Sequence, residues 1–143
     1  MARIATLSRR YWMFTGLVLA AALLGRAPAL VPPLVVLTLA QSLHFRILDG
    51  DWHSPAAQTR IGYAVLLTAG LWPVPALVHW LQLAGTLSSV TLNYCPMARF
   101  VSLLPWNRVE RLTLQLAART LLASPRTWRF PAAGRLRSAS EAP

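Results

Sequence analysis

Residues 61–98, IGYAVLLTAGLWPVPALVHWLQLAGTLSSVTLNYCPMA, run 38 positions without one Asp, Glu, Lys or Arg. The hydrocarbon core of a bilayer needs about 20 apolar residues per helix, and about 17 at the short end, so this stretch is long enough for two short spans. Trp72-Pro73-Val74-Pro75 falls near its middle, and two prolines so close together cannot continue a helix interior. The stretch therefore predicts a helical hairpin, with helices over about 57–72 and 76–95.

Upstream, residues 11–45 are interrupted only by Arg26 and predict a second hairpin, with helices over about 10–25 and 30–46. Arg26-Ala27-Pro28 forms its turn, and Pro32 and Pro33 sit in the first turn of the second helix, where a missing N–H costs little. The polar loop 47–53 separates the hairpins. Ser54-Pro55 then restarts a helix, with a hydroxyl to cap free N–H groups and a ring that presets φ. The expected fold is an all-α integral membrane protein, four transmembrane helices in two hairpins over residues 1–98. Pro28-Ala29-Leu30-Val31 recurs as Pro75-Ala76-Leu77-Val78, which suggests that one hairpin duplicates the other in parallel.

Composition agrees. Hydrophobic residues make up 55% of the 143-residue chain and charged residues 13%, against about 25% charged in soluble domains, too little polar surface to cover a soluble globule. The net charge of +10 comes from 14 basic residues, all arginine. They flank apolar runs, as anionic lipid headgroups and the positive-inside rule require, and no aromatic-interleaved basic groove points to nucleic acid. With the N-terminus inside, thirteen arginines fall on the inner side and only Arg26 on the outer. Both termini are therefore expected in the cytoplasm. Ser8-Arg9-Arg10 and Ala27-Pro28-Ala29 have the look of a cleavable leader. Cleavage would leave an odd number of spans with most arginines on the wrong side, so the first span is read as retained.

Beyond the last span, Asn107 as cap and Glu110 three residues on form a variant capping box. They predict an amphipathic interfacial helix within 99–124, starting near Arg108, and 125–143 reads as a disordered Arg-rich tail. The arginines placed at headgroups are Arg9, Arg10, Arg60, Arg99, Arg108 and Arg111.

Three groups could carry chemistry. Cys95, the chain's one cysteine, stands before Pro96 with Arg99 nearby, a setting that favours thiolate and could take up a persulfide or a metal. His44, Asp49, Asp51 and His53 are expected on the same side of the membrane. With Cys95 they offer imidazole, carboxylate and thiolate ligands, though in no known spacing; the plainer reading of 49–51 is a solvated turn with glycine at positive φ. On the last span Ala84, Gly85, Ser88 and Ser89, with Thr86 and Thr91, are small enough to let helices approach. No base stands near Ser88 or Ser89 to make either a nucleophile, and no charge lies within a span, where ion pathways need one.

Arg60-Ile61-Gly62-Tyr63 leading an apolar helix, a short turn, and a second helix ending Asn93-Tyr94-Cys95-Pro96-Met97-Ala98 resembles the YgaP-like two-helix inner-membrane domain, the DUF2892 family. The likeness covers about residues 58–104. Its sharp element is the Cys-Pro pair, and Asn93-Tyr94 stands where the family has Gly-Phe. The resemblance implies a bacterial inner-membrane hairpin, while the sulfur transfer found beside such domains has no second cysteine to support it here. The expectation is a non-enzymatic accessory or scaffold protein without a cofactor, partnered by anionic lipid and by a second copy or another membrane protein. Small-molecule transport, or sulfur or metal handling through Cys95, is the alternative.

Overall fold

The computed structural model describes residues 2–72, 76–108 and 110–124. Residues 73–75, where the hairpin turn is expected, and the Arg-rich tail from residue 125 lie outside them. Among the described residues every regular element is helical: α1 (Ala2–Leu24), a 3-10 turn (Pro28–Leu30), α2 (Val31–Asp49), α3 (Pro55–Ala69), α4 (Ala76–Thr91), α5 (Pro96–Ser102) and α6 (Leu114–Leu122).

The ends of these helices follow from local chemistry. Gly50 closes α2 at φ 74°, its N–H bonded to the Arg46 carbonyl, a conformation that costs glycine least. Ser54 sits extended at φ −60°, ψ 134° and its hydroxyl accepts from Ala57 N at 3.2 Å, with Pro55 in the first turn behind it. Arg26 (φ 50°) and Asn93 (φ 56°) turn the chain after α1 and α4. The helices differ from the expected spans mainly at their ends: α1 continues back to Ala2, while α3 and α4 stop at Ala69 and Thr91.

α1 packs on α2 and α4, and α3 packs on α2 and α4, so the four long helices form a ring of neighbours. Cross-links fix their directions. Tyr11 meets His44 and Thr15 meets Gln41 between α1 and α2; Ser42 meets Ala57 between α2 and α3; Tyr63 meets Thr86 and Leu67 meets His79 between α3 and α4. Each neighbouring pair is antiparallel, and the two hairpins run the same way.

Two elements depart from expectation. Pro96 does not simply end a span but opens α5, a short helix against α3 and α4 that Cys95 caps, its Sγ accepting from Ala98 N at 3.4 Å. The C-terminal helix starts at Leu114, not near Arg108. Its cap is Thr113, whose hydroxyl accepts from Leu116 N at 3.1 Å. Asn107 is unavailable as a cap because it is buried, donating from Nδ2 to the Val101 carbonyl at 2.9 Å and to Gln58 Oε1. It latches the chain after α5 onto α3.

By length and composition one segment among the described residues, Pro28–Asp49, is apolar enough to cross a membrane. α3 has 15 residues and α4 has 16, which at about 1.5 Å per residue fall short of a hydrocarbon core of about 30 Å.

Candidate functional site

The bundle carries its polar groups inward. Thr15 and Thr38 are fully buried, and Gln41, Ser42, His79, Gln82 and Thr86 nearly so, while Leu17, Val36, Val65 and Leu81 are each more than 60% exposed. The α3–α4 seam shows how the polar groups are satisfied. Gln82 Nε2 donates to the Tyr63 carbonyl at 3.0 Å, and Thr86 Oγ1 donates to its own helix at Gln82 O, 2.7 Å. The Thr86 proton is thereby placed, so at 2.9 Å Tyr63 is the donor to Thr86. His79 Nε2 lies 3.2 Å from the Leu67 carbonyl, which requires the proton on Nε2. Gly16 lets Thr86 approach: a Cβ there would stand 3.0 Å from its Cγ2.

At the loop end of the bundle lies Arg60, 1% exposed. Its position four residues after Ala56 turns the side chain back along α3, so NH1 donates to the Ala56 carbonyl at 3.0 Å, while NH2 reaches Ser8 Oγ on α1 at 3.1 Å. Three rings surround the guanidinium: Phe45 of α2, with its centroid 4.1 Å from Cζ, then Trp12 at 5.0 Å and Tyr11 at 5.9 Å on α1. No carboxylate among the described residues pairs with it. Taking such a cation out of water costs several kcal/mol. Charged hydrogen bonds, each contributing about 1.5–3 kcal/mol, and desolvated ring faces at about 2 kcal/mol offset a cost of that size. Arg60 thus ties three helices together.

Arg99 of α5 is the second buried arginine, also 1% exposed. Its NH1 donates to the Thr120 and Leu121 carbonyls at 2.6 and 3.2 Å, with Cζ 4.2 Å over the Tyr94 ring. These carbonyls are at the last turn of α6, the negative end of its dipole, so Arg99 docks α6 by capping it. Of the arginines expected at headgroups, Arg9, Arg10 and Arg111 are exposed and Arg108 is half-buried, whereas Arg60 and Arg99 are turned inward. The sequence did not single out this inward turn. The nearby Tyr11-Trp12 pair, usually read as an interfacial belt, was its available signal.

The proposed ligand set is dispersed. Asp51 and His53 form a local turn in which Asp51 Oδ1 accepts from His53 N at 2.9 Å and faces His53 Nδ1 at 3.0 Å. The backbone donor first, then the imidazole, holds the Asp51 carboxyl below its ordinary range, so it is ionised at neutral pH. His44 is turned to Tyr11, its Nδ1 2.8 Å from the phenol oxygen, and Asp49 is exposed at the end of α2. Among the described residues no three His, Cys, Asp or Glu side chains gather as metal ligands.

The small residues of α4 divide similarly. Ala84 is exposed, Gly85 faces Pro96, whose Cγ would lie 3.6 Å from an added Cβ, and Ser88 and Ser89 donate to the Ala84 and Gly85 carbonyls one turn back. Neither serine is directed at a base.

Two cavities flank Cys95. The larger, about 830 Å3, is a groove between α3, α4 and α5 walled by Ile61, Val65, Leu81, Met97 and Phe100. The smaller, about 320 Å3, lies at the loop end against Ser8, Arg9, Thr59 and Arg60. Trp12, Ser89 and Cys95 belong to both walls. Compared with known protein families, curated proteins and solved structures, the chain matches none.

Proposed function

We propose that this chain is an integral protein of the bacterial inner membrane, with α1 to α4 crossing the bilayer and both termini in the cytoplasm, and that it acts as a non-enzymatic accessory or scaffold component. The observation that carries the reading is the side-chain distribution: hydroxyls, amides and two guanidiniums lie inside beside the apolar cluster, while many large aliphatic and aromatic side chains lie outside. Water penalises that arrangement, whereas lipid tails are as apolar as leucine and leave helix association to close packing and interhelical hydrogen bonds. The likeness of residues 58–104 to the YgaP-like hairpin gives the same reading for α3 and α4. Their short lengths require the bilayer to thin locally or their apolar flanks to enter it.

Cellular membranes washed with alkaline carbonate test the first half of the proposal, and the protein is expected to stay in the pellet. A C-terminal alkaline phosphatase fusion is expected to be inactive and a fluorescent protein fusion bright; a strongly active phosphatase would overturn the orientation. A second reading, sulfur handling by Cys95, is favoured by the place of that side chain on both cavity walls. Sulfane sulfur on the purified protein that disappears in Cys95→Ser would replace the scaffold reading with this one.

A further inference from the structure

The two cavities adjoin, and they differ in chemistry. The groove is walled mainly by apolar side chains, Val65 and Phe100 among them, with His53, Gln58, Gln82 and Thr86 also on its wall, while the pocket at its loop end is lined by Ser8, the exposed Arg9 and the buried Arg60. No carboxylate lines that pocket among the described residues. Arg60 is 1% exposed, and its Nε has no hydrogen-bond partner in the protein. Ser8, which already accepts from Arg60 NH2 at 3.1 Å, keeps its hydroxyl proton available to an acceptor in the pocket. A buried cation without a counter-ion, beside an exposed one, is complementary to an anion. The adjoining groove is complementary to a hydrocarbon chain. Trp12, Ser89 and Cys95 line both, so the two cavities adjoin at these three side chains, with the polar one at the boundary where the arginine distribution places the inner headgroups.

From this adjacency we infer that the two cavities together form a site for one anionic phospholipid, with its phosphate against Arg9 and Ser8, over the buried charge of Arg60, and one acyl chain along the groove between α3, α4 and α5. The inference rests on the membrane reading, because the lipid enters sideways from the bilayer. A zwitterionic headgroup fits less well, since its ammonium would approach two guanidiniums.

The full chain reconstituted into nanodiscs of equal phosphatidylglycerol and phosphatidylcholine, then re-extracted in mild detergent, allows retained lipid to be counted by native mass spectrometry. The expected result is one bound phosphatidylglycerol in preference to phosphatidylcholine. Arg9→Gln, an exposed change that leaves the Arg60 contacts in place, should lower that preference about fivefold, the effect of one arginine at an anionic surface. Val65→Trp, which fills the groove from its open side, should reduce retention of both lipids. Arg26→Gln, at the opposite end of the bundle, should change neither. Equal retention of the two lipids, an unaltered preference in Arg9→Gln, or an equal loss in Arg26→Gln would overturn the inference. Release of the protein by carbonate would break the membrane reading instead, and the two failures are thereby distinguished.

Discussion

The two ends of the bundle are built from different interactions. At the turn end Leu19, Ala22, Val31, Leu34 and Leu67 pack into one apolar cluster. At the loop end Arg60 of α3 holds Ser8 and Trp12 of α1 and Phe45 of α2 through hydrogen bonds and ring faces, while Ser42 Oγ donates to the Ala57 carbonyl at 3.1 Å across the α2–α3 corner. On the proposed membrane reading these are not equivalent. A leucine loses little by facing a hydrocarbon tail instead of another leucine, so apolar contacts specify helix register weakly. A guanidinium or hydroxyl that loses its partner finds none in the tails. The turn end therefore sets how closely the helices approach, and the loop end sets how they are aligned.

The largest expected effect comes from removing the loop-end tie. Arg60→Ala leaves a void among Phe45, Trp12 and Tyr11 and deprives Ser8 of its donor, and it should destabilise by about 3–4 kcal/mol. Arg60→Met fills most of that volume and removes the buried charge, so its cost should be less than half as large. Denaturant unfolding in detergent micelles measures both. Equal costs would show that the charge, rather than the volume, holds α1 to α3.

Leu34→Ala strikes the other end. The side chain is 1% exposed, and a Leu→Ala change in a soluble core costs about 2–5 kcal/mol. Part of that is transfer from water, which the membrane reading removes, so a loss of about 2 kcal/mol is expected, with helix register unchanged in cysteine cross-linking. A loss near the top of the soluble range would argue that water, not lipid, surrounds the bundle.

Arg99→Gln is more local. It replaces the charged donor to the Thr120 and Leu121 carbonyls with a shorter neutral amide and removes the guanidinium stack on Tyr94, a loss of about 1.5 kcal/mol for a charged hydrogen bond. Hydrogen exchange of the α6 amides should accelerate about tenfold while the α1–α4 amides keep their protection. Acceleration throughout would mean that α6 is part of the bundle's cooperative unit.

Much of this architecture is legible in the sequence because it depends on backbone chemistry. Ser54-Pro55 starts α3 and Gly50 ends α2. What was hidden depends on the facing of side chains. The arginines at 60 and 99 read as headgroup ligands because an arginine beside an apolar run is ordinarily exposed; their burial depends on rings and carbonyls brought in by other helices. The inward face of α4 is formed by His79, Gln82, Leu83 and Thr86, a spacing of three, one and three that marks a helix face. Of the small and hydroxyl residues from Ala84 to Thr91, Thr86 alone lies on that face. α5 is hard to read from sequence because Cys95 is an uncommon cap, although Pro96 in the first turn is an ordinary helix start.

The smallest effect should come from Arg26, at the apolar end. Its φ of 50° places an L-residue in the left-handed region, and Ala27 N closes the end of α1 on the Ala22 carbonyl at 2.9 Å across that turn. The conformation costs a side-chain-bearing residue roughly 1–2 kcal/mol. Glycine removes that cost but adds freedom to the unfolded chain worth about 0.4–1 kcal/mol. Arg26→Gly is thus expected to stabilise by about 0.5 kcal/mol in micelle unfolding. It also removes the only arginine assigned to the outer side, so the proposed topology should hold unchanged in the fusion assay, the charge bias having moved further in its favour. A clear loss of stability would show that the Arg26 side chain anchors the turn end, and the division between an end held by packing and an end held by directed polar contacts would fail there.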